Sequence, residues 1–197
     1  FGPNEKISKT ARTSNSGIRY DVCNTAIGIS ADSPAEFYHK SKLVPGVEKM
    51  PFPAFFNHFQ EFAFNLGGSV GSQGSQDFRS VFDSPSGTEV GPIICYESVY
   101  GEFVGEYVKN GAELLFIITN DGWWGDTPGY KQHALYGQLR AIEHRRSIAR
   151  SANTGISCFI NQLGETSQQT NWWEEAVISG TLNRNNQLTF YSLYGDI

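Results

Sequence analysis

The chain has 197 residues, 39% of them hydrophobic and 18% charged, with a formal net charge of −5. That length supports one domain with a sizeable core, and that composition excludes a disordered chain. The acidic balance leaves no electrostatic footprint for nucleic acid, three cysteines cannot form a disulfide framework, and no apolar run approaches the roughly 18 residues needed to span a bilayer.

In chain order, residues 1–17 are polar and rich in Ser, Thr, Asn and Lys, which predicts a loop. Residues 19–30 read as a strand, Asp32-Ser33-Pro34 as a turn, and Phe37-Tyr38-His39-Lys40 as the returning strand of a hairpin. Cys23 falls in the first of these strands and is expected to be a buried thiol. Two prolines and a glycine in residues 40–51 exclude a regular helix or central strand, so this is a loop. Lys40 and Glu48 lie eight residues apart around it, either facing one cleft or as solvated charges. Phe55, Phe56, Phe59 and Phe62 follow helical spacing, which predicts a short amphipathic helix in 53–66. Its phenylalanines serve either as core packing or as a membrane-facing lid. Residues 67–76 read as a Gly/Ser/Gln-rich flexible loop, and 80–94 as a second hairpin turning at Ser84-Pro85-Ser86-Gly87.

That hairpin leads into Cys95. The apolar run of Val90, Ile93 and Ile94 stops there, and Val99, Phe103, Val104, Tyr107 and Val108 then recur at helical spacing. The pattern predicts a buried strand, a sharp turn carrying Cys95, and a helix. A cysteine at a helix N-terminus meets a dipole that favours the thiolate, and N–H groups that can hold an oxyanion during acyl transfer. The alternative is a buried structural cysteine. Tyr96 and Glu97 tip the balance, because a plain core strand would continue apolar at that place.

Asn110-Gly111 stops the helix, and residues 113–119 read as a buried strand. Asn120-Asp121-Gly122-Trp123-Trp124-Gly125-Asp126 then puts polar groups and two tryptophans at a strand end, as either a site or an aromatic-capped turn. Residues 133–150 read as a long helix with Leu135, Leu139, Ile142 and Ile148 on one side. Arg140, Glu143, Arg146 and Arg150 form its solvated face, with Glu143 able to turn inward. Residues 155–161 read as a strand around a buried Cys158, Leu163-Gly164-Glu165 as a turn, and 172–180 and 187–194 as extended. The four histidines show no metal-ligand spacing, no glycine pattern matches a phosphate loop, and no cofactor or metal is expected. The mixture of hairpins and helices gives an α/β (α+β) fold with sheets covered by helices.

The ordered set of motifs carries a resemblance. Tyr38-His39-Lys40-Ser41-Lys42-Leu43-Val44-Pro45, then Glu48, Ile94-Cys95-Tyr96-Glu97, Asn120-Asp121-Gly122-Trp123-Trp124-Gly125, Arg140-Ala141-Ile142-Glu143 and Arg150-Ser151-Ala152-Asn153-Thr154-Gly155 resemble the carbon–nitrogen hydrolase (nitrilase) superfamily. Within it, the Leu-Val-Pro…Glu loop, the Cys-Tyr-Glu triplet and the Asn-Asp-Gly-Trp-Trp-Gly turn resemble the apolipoprotein N-acyltransferases.

The resemblance implies a four-layer αββα sandwich, here incomplete at its N-terminus, with residues 1–197 as the C-terminal portion of a single catalytic domain. It implies Cys95 as nucleophile, Lys40 as the triad lysine that stabilises the oxyanion, and Glu48, Tyr96 and Glu97 as residues the family needs around the nucleophile. Asn120, Trp123 and Glu143 are carried over as supporting residues. The implied reaction moves an acyl chain from a phospholipid, through a cysteine thioester, to the N-terminal amine of a diacylglyceryl-cysteine lipoprotein. The implied setting is the bacterial inner membrane, with the catalytic domain on the periplasmic side, an upstream membrane bundle, and no nucleic-acid partner. Where the family loop reads Pro-Phe-Gly-Glu, this chain has Pro45-Gly46-Val47-Glu48. The family's triad glutamate precedes the lysine by more than the 39 residues available, and Glu5 sits in a polar loop, so that glutamate is expected upstream and the chain by itself is expected to be inactive. The alternatives are a soluble nitrilase-like amidase that resolves the thioester with water, and a non-catalytic binding module.

Overall fold

The computed structural model describes residues 11–31, 33–45, 48 and 73–196. The expected phenylalanine-rich helix of 53–66, residues 67–72 of the flexible loop, and Glu5 lie outside the described residues. The chain divides into two compact units. One holds the described residues up to Thr25 and those from His39 to Asp77; the other holds residues 26–38 and those from Phe78 onward.

In the first unit, β1 (Arg12–Thr13) pairs antiparallel with β2 (Arg19–Tyr20). The single strand expected over 19–30 is two strands, with Cys23 in the break between them. Cys23 there makes an isolated parallel bridge to Gly74 and is half-buried rather than buried. Gly74 is required at that bridge, because a Cβ on it would lie 2.8 Å from the Cys23 sulfur. β3 (Thr25–Gly28) and β4 (Glu36–His39) form the predicted hairpin as a two-stranded sheet, mostly within the second unit.

The second unit is built on a six-stranded sheet in the order β10-β9-β8-β7-β6-β5. β5 (Phe82–Asp83) pairs antiparallel with β6 (Glu89–Ile94), as the hairpin pattern predicts. β6, β7 (Leu114–Thr119) and β8 (Ser147–Ala152) run parallel, joined by helix α1 (Gly101–Lys109) and helix α2 (Pro128–His144). β9 (Cys158–Ile160) and β10 (Thr166–Ser167) close the far edge antiparallel.

Strand periodicity decides which side chains meet the helices. Gly91 and Ile93 of β6, Leu115 and Ile117 of β7, Ile148 of β8, and Cys158 and Ile160 of β9 share one face, and all are buried. Helix α1 lies so close that a Cβ on Gly91 would sit 3.0 Å from the Tyr107 Cβ. Gly137 of α2 likewise faces Ile160 and Ile117. The opposite face is more open. Phe116 and Ile118 are 39% and 47% exposed, so β7 is buried on one face rather than on both.

The long helix expected over 133–150 ends instead at His144. Thr127 caps its start by accepting from the Gly129 N–H, with Pro128 at the first turn. Arg145, in the left-handed region at φ 50°, ends it. β8 begins two residues later. Its pattern is hidden because Ser147, Arg150 and Ser151 interrupt the apolar signal. The helix is also rotated from the expected orientation. Leu135, Leu139 and Ile142 are 57%, 43% and 42% exposed, whereas His133, Arg140 and His144 are buried. His133, His144 and one Arg140 nitrogen make tertiary hydrogen bonds, which a periodicity argument cannot see.

The arginines expected on a solvated face are buried. Arg146 donates to the carbonyls of Ala112 at 2.7 Å, Gln187 at 2.8 Å and His144 at 3.0 Å. It thereby ties the strand to the C-terminal segment. Residues 172–180 hold a turn but no strand, and α3 (Phe190–Tyr194) replaces the extended segment expected at 187–194.

His144 docks α3. Its Nε2 donates to the Gly101 carbonyl at 3.1 Å, and its Nδ1 lies 2.9 Å from the Ser192 hydroxyl. Burial pushes its pKa down to about 4, and the nearby Arg140, Arg146 and Lys109 charges add to that, against the opposing pull of the Gly101 bond. The unfolded chain therefore binds a proton between pH about 6.5 and about 4 that the folded chain refuses. Stability should fall as pH drops through that window, by on the order of 3 kcal/mol for this group. His144→Gln should flatten the fall in melting temperature between pH 7 and pH 4.5. An unchanged slope would show that His144 carries no such linkage.

Candidate active site

Cys95 closes β6, the parallel strand at the edge of the parallel set. In open α/β sheets, ligands gather at the carboxyl ends of such strands. The chain turns there into a 3₁₀ segment, Cys95–Val99, and α1 begins only at Gly101. The expected α-helical N-terminus at Cys95 is therefore a short 3₁₀ turn, so any oxyanion donors there are local N–H groups rather than a macrodipole. Cys95 has φ 54°, in the left-handed region. For a residue other than glycine that costs about 1–3 kcal/mol and persists only when the surroundings enforce it.

The surroundings do so through Glu97, which is fully buried. Its Oε2 accepts from the Ile94 N–H at 2.8 Å, and its Oε1 accepts from the Tyr38 hydroxyl at 2.7 Å. The Tyr107 hydroxyl adds a longer bond at 3.4 Å. Burial, and after it the Glu97 charge, holds the Tyr107 phenol far above its usual range, so it acts only as a neutral donor. Glu97 is thus a brace inside the turn. Tyr96 is half-buried and meets Tyr100 edge-on at 5.4 Å.

A second polar network lies behind the turn. Asp121, two residues past β7, accepts from Thr119 Oγ1 at 2.9 Å and from Arg150 Nη2 at 2.8 Å. His133 Nδ1 lies 2.8 Å from Asp121 Oδ1. His133 Nε2 lies 3.2 Å from both the Cys95 carbonyl oxygen and the Ser98 hydroxyl. Burial alone would raise the Asp121 carboxyl, but the His133 bond and the Arg150 charge outweigh it and hold it below the usual range. Sequence reasoning placed Arg150 on a solvated helix face and gave His133 no role. The signal was present in part, because Asp121 and Arg150 both lie in the quoted motifs. Their pairing needs the parallel register of β7 and β8, where Ile117 lies opposite Arg150.

Asn120 and Trp123 occupy the loop after β7. Asn120 Oδ1 accepts from the Gly122 N–H at 3.1 Å and from the Thr154 hydroxyl at 3.2 Å. Trp123 stacks on Trp124 with ring centres 4.2 Å apart. Gly155 is enforced nearby, since a Cβ on it would run into the Asp121 side chain. Glu143 accepts from Arg140 Nη2 at 3.1 Å, and burial, helped by Asp196 and opposed by Arg140, raises its carboxyl. Cys158 is buried on the helix-facing side of β9, as expected, and burial pushes its thiol up.

In the first unit, Lys40 and Glu48 meet. Lys40 follows β4 and is fully buried, and its Nζ donates to both Glu48 oxygens at 2.9 and 2.7 Å. The Val44 N–H also donates to Glu48 at 2.8 Å. This is a buried, bidentate ion pair and not a pair of solvated loop charges. Cys95, Tyr96 and Glu97 belong to the other unit. Among the described residues no cluster of histidine, cysteine or carboxylate side chains could hold a metal ion.

Residues 10–187 match the carbon–nitrogen hydrolase family. The chain belongs to the carbon–nitrogen hydrolase family. It is 35% identical over 186 residues to an apolipoprotein N-acyltransferase of Chlorobaculum tepidum, covering 92% of this chain and 35% of that protein. It is 33% identical over 180 residues to that of Thermotoga maritima, covering 91% and 35%. The chain thus spans about a third of the length of these curated relatives. Among solved structures, Nit3 of Saccharomyces cerevisiae, a member of branch 10 of the nitrilase superfamily, matches with a TM-score of 0.58 at 15% identity, over 79% of this chain and 51% of that one. An amidase from Nesterenkonia sp. AN1, which carries the acetamide moiety of fluoroacetamide on its active-site cysteine, matches with a TM-score of 0.51 at 16% identity, over 70% and 46%. At those identities the likeness shows the fold. The fold is that of the carbon–nitrogen hydrolases, and the helix layer with its mixed sheet accounts for one α and one β layer of their sandwich.

Proposed function

We propose that this chain is the C-terminal, cysteine-bearing portion of the catalytic domain of a bacterial apolipoprotein N-acyltransferase. The observation that carries the reading is Cys95 on a strained left-handed turn at the carboxyl end of a parallel strand, within a chain similar to proteins of that name over nine-tenths of its length. In the proposed reaction the Cys95 sulfur attacks the ester carbonyl of a phospholipid. The carbon–oxygen bond breaks, the lysophospholipid leaves as its alcohol after taking up a proton, and a thioester remains. The N-terminal amine of a diacylglyceryl-cysteine lipoprotein then attacks the thioester. An amide forms, the thiol is released, and one difficult transfer has become two easier ones.

Lys40 is proposed to stabilise the oxyanion of both tetrahedral intermediates, with Glu48 holding its ammonium in place. Tyr96 and Glu97 shape the nucleophile turn, while Asn120, Trp123 and Glu143 support it. The proposed setting is the inner membrane with the catalytic domain on the periplasmic side. Among the described residues no helix is long and apolar enough to cross a membrane. The phenylalanines of residues 53–66 are proposed as a contact with the bilayer. Phe55→Ser with Phe59→Ser should then weaken liposome binding severalfold at an unchanged melting temperature. A large drop in melting temperature would assign those rings to the core.

The test of the function uses the full-length protein, a phospholipid and a diacylglyceryl-cysteine peptide, followed by mass spectrometry. The expected result is a peptide heavier by one acyl chain, with lysophospholipid released in step. An unmodified peptide, together with hydrolysis of simple amides, would support the amidase reading in its place.

A further inference from the structure

The proposed acyl transfer uses neither His133, Asp121 nor Arg150, yet all three side chains are at most 3% exposed. Burying three ionisable groups is unfavourable unless each is paired and hydrogen-bonded. The pairing here has a direction. Arg150 Nη2 and Thr119 Oγ1 donate to Asp121 at 2.8 and 2.9 Å. A carboxylate only accepts, so His133 presents a hydrogen on Nδ1 to Asp121 Oδ1 at 2.8 Å. That bond fixes the ring and points Nε2 at the Cys95 carbonyl, 3.2 Å away; a carbonyl too only accepts, so Nε2 meets it as an N–H, with the ring an imidazolium facing the Asp121 carboxylate. The Ser98 hydroxyl, 3.2 Å from the same nitrogen, donates to the same carbonyl at 2.8 Å.

We infer that His133 is a positioning residue for Cys95. The Asp121–Arg150 pair orients its ring, and its Nε2 edge, with Ser98, holds the Cys95 carbonyl and so the left-handed turn that aims the thiol. The inference rests on the reading of Cys95 as nucleophile. Two anchors flank the strained residue. Glu97 holds the strand one residue upstream at the Ile94 N–H, and His133 with Ser98 holds the peptide group just downstream. Without the downstream anchor, the carbonyl is free to rotate and Cys95 relaxes out of its left-handed conformation. Misplacement of a reacting atom by about 1 Å can cost a hundredfold in rate.

Three substitutions in the full-length protein separate positioning from packing. Glutamine puts its amide where Nε2 lies, facing the Cys95 carbonyl. Asparagine puts its amide where Nδ1 lies, facing Asp121. Phenylalanine keeps the volume and removes both. The readouts are the rate of Cys95 alkylation by iodoacetamide, kcat and KM for acyl transfer, and melting temperature. Positioning predicts that His133→Gln stays within about tenfold of wild type, while His133→Asn and His133→Phe lose at least about a hundredfold in kcat with KM little changed. His133→Asn matching or outpacing His133→Gln would overturn the inference, because the role would then be to satisfy Asp121. Alkylation and turnover at the wild-type rate in His133→Phe would also overturn it. If His133→Phe does not fold, the asparagine–glutamine comparison decides alone. The two readings fail separately. A Cys95→Ala protein that still forms an acyl-enzyme removes the nucleophile, whereas an inert Cys95→Ala beside wild-type-like His133 variants removes only the positioning role.

Discussion

Cys95→Ala in the full-length protein should abolish the acyl-enzyme altogether, while Cys23→Ala and Cys158→Ala should leave it intact. The three thiols differ in where the fold puts them. Cys158 is buried beneath the helix layer, where desolvation keeps it protonated. Cys23 lies in a short bridge with Gly74 in the other unit. Cys95 alone of the three sits at the end of a parallel strand with a strained backbone. Intact-mass spectrometry after incubation with phospholipid reads the outcome directly. An adduct that survives in Cys95→Ala would sink the assignment. Loss of the adduct in Cys158→Ala with native melting would move the nucleophile there.

Lys40→Met should lower the acylation rate by at least about a hundredfold, the scale of losing one oxyanion donor. The structure adds a complication. Lys40 is bonded to both oxygens of the buried Glu48, so removing its charge leaves that carboxylate unpaired. Breaking a buried pair from one side costs about 3–5 kcal/mol, and part of any lost activity would then be lost folded protein. The double variant Lys40→Met with Glu48→Gln separates the two effects. It removes the orphaned charge and should recover most of the melting temperature. It should not recover the rate, which is measured per folded molecule by single-turnover formation of the thioester. A double variant with near-normal rate would make Lys40 a structural partner of Glu48 and nothing more.

Much of the site was legible because its signals are local. A strand that ends at a cysteine, followed by helical spacing, is written in residues 90–108, and the structure places β6, the Cys95 turn and α1 there. The hairpins at 25–39 and 82–94, the Asn110-Gly111 stop and the burial of Cys158 also depend on near neighbours and turn chemistry. Glu97 was picked out as a polar residue at an apolar place. That it braces the turn from inside, through Ile94, Tyr38 and Tyr107, required the fold.

The misreadings share a cause. Leu135, Leu139 and Ile142 fit a helical stripe opposite a charged face, but the helix buries His133, Arg140 and His144 instead. Arg146 and Arg150 looked like a solvated face, yet both are buried with carbonyl or carboxylate partners far away in the sequence. Periodicity ranks side chains by transfer from water, and it has no access to a partner 30 or 40 residues distant that offsets the desolvation. By itself the sequence determined the buried strands on either side of the first helix, the turn at Cys95 and the family motifs. Those follow from local apolar runs and breakers that no distant contact needs to complete. Only the tertiary structure decided that Lys40 is locked to Glu48, that Asp121, His133 and Arg150 join behind the Cys95 carbonyl, and that the polar side of α2 faces inward. A buried charge is stable only beside its partner, and the partner is supplied by strand register and helix packing rather than by sequence neighbours.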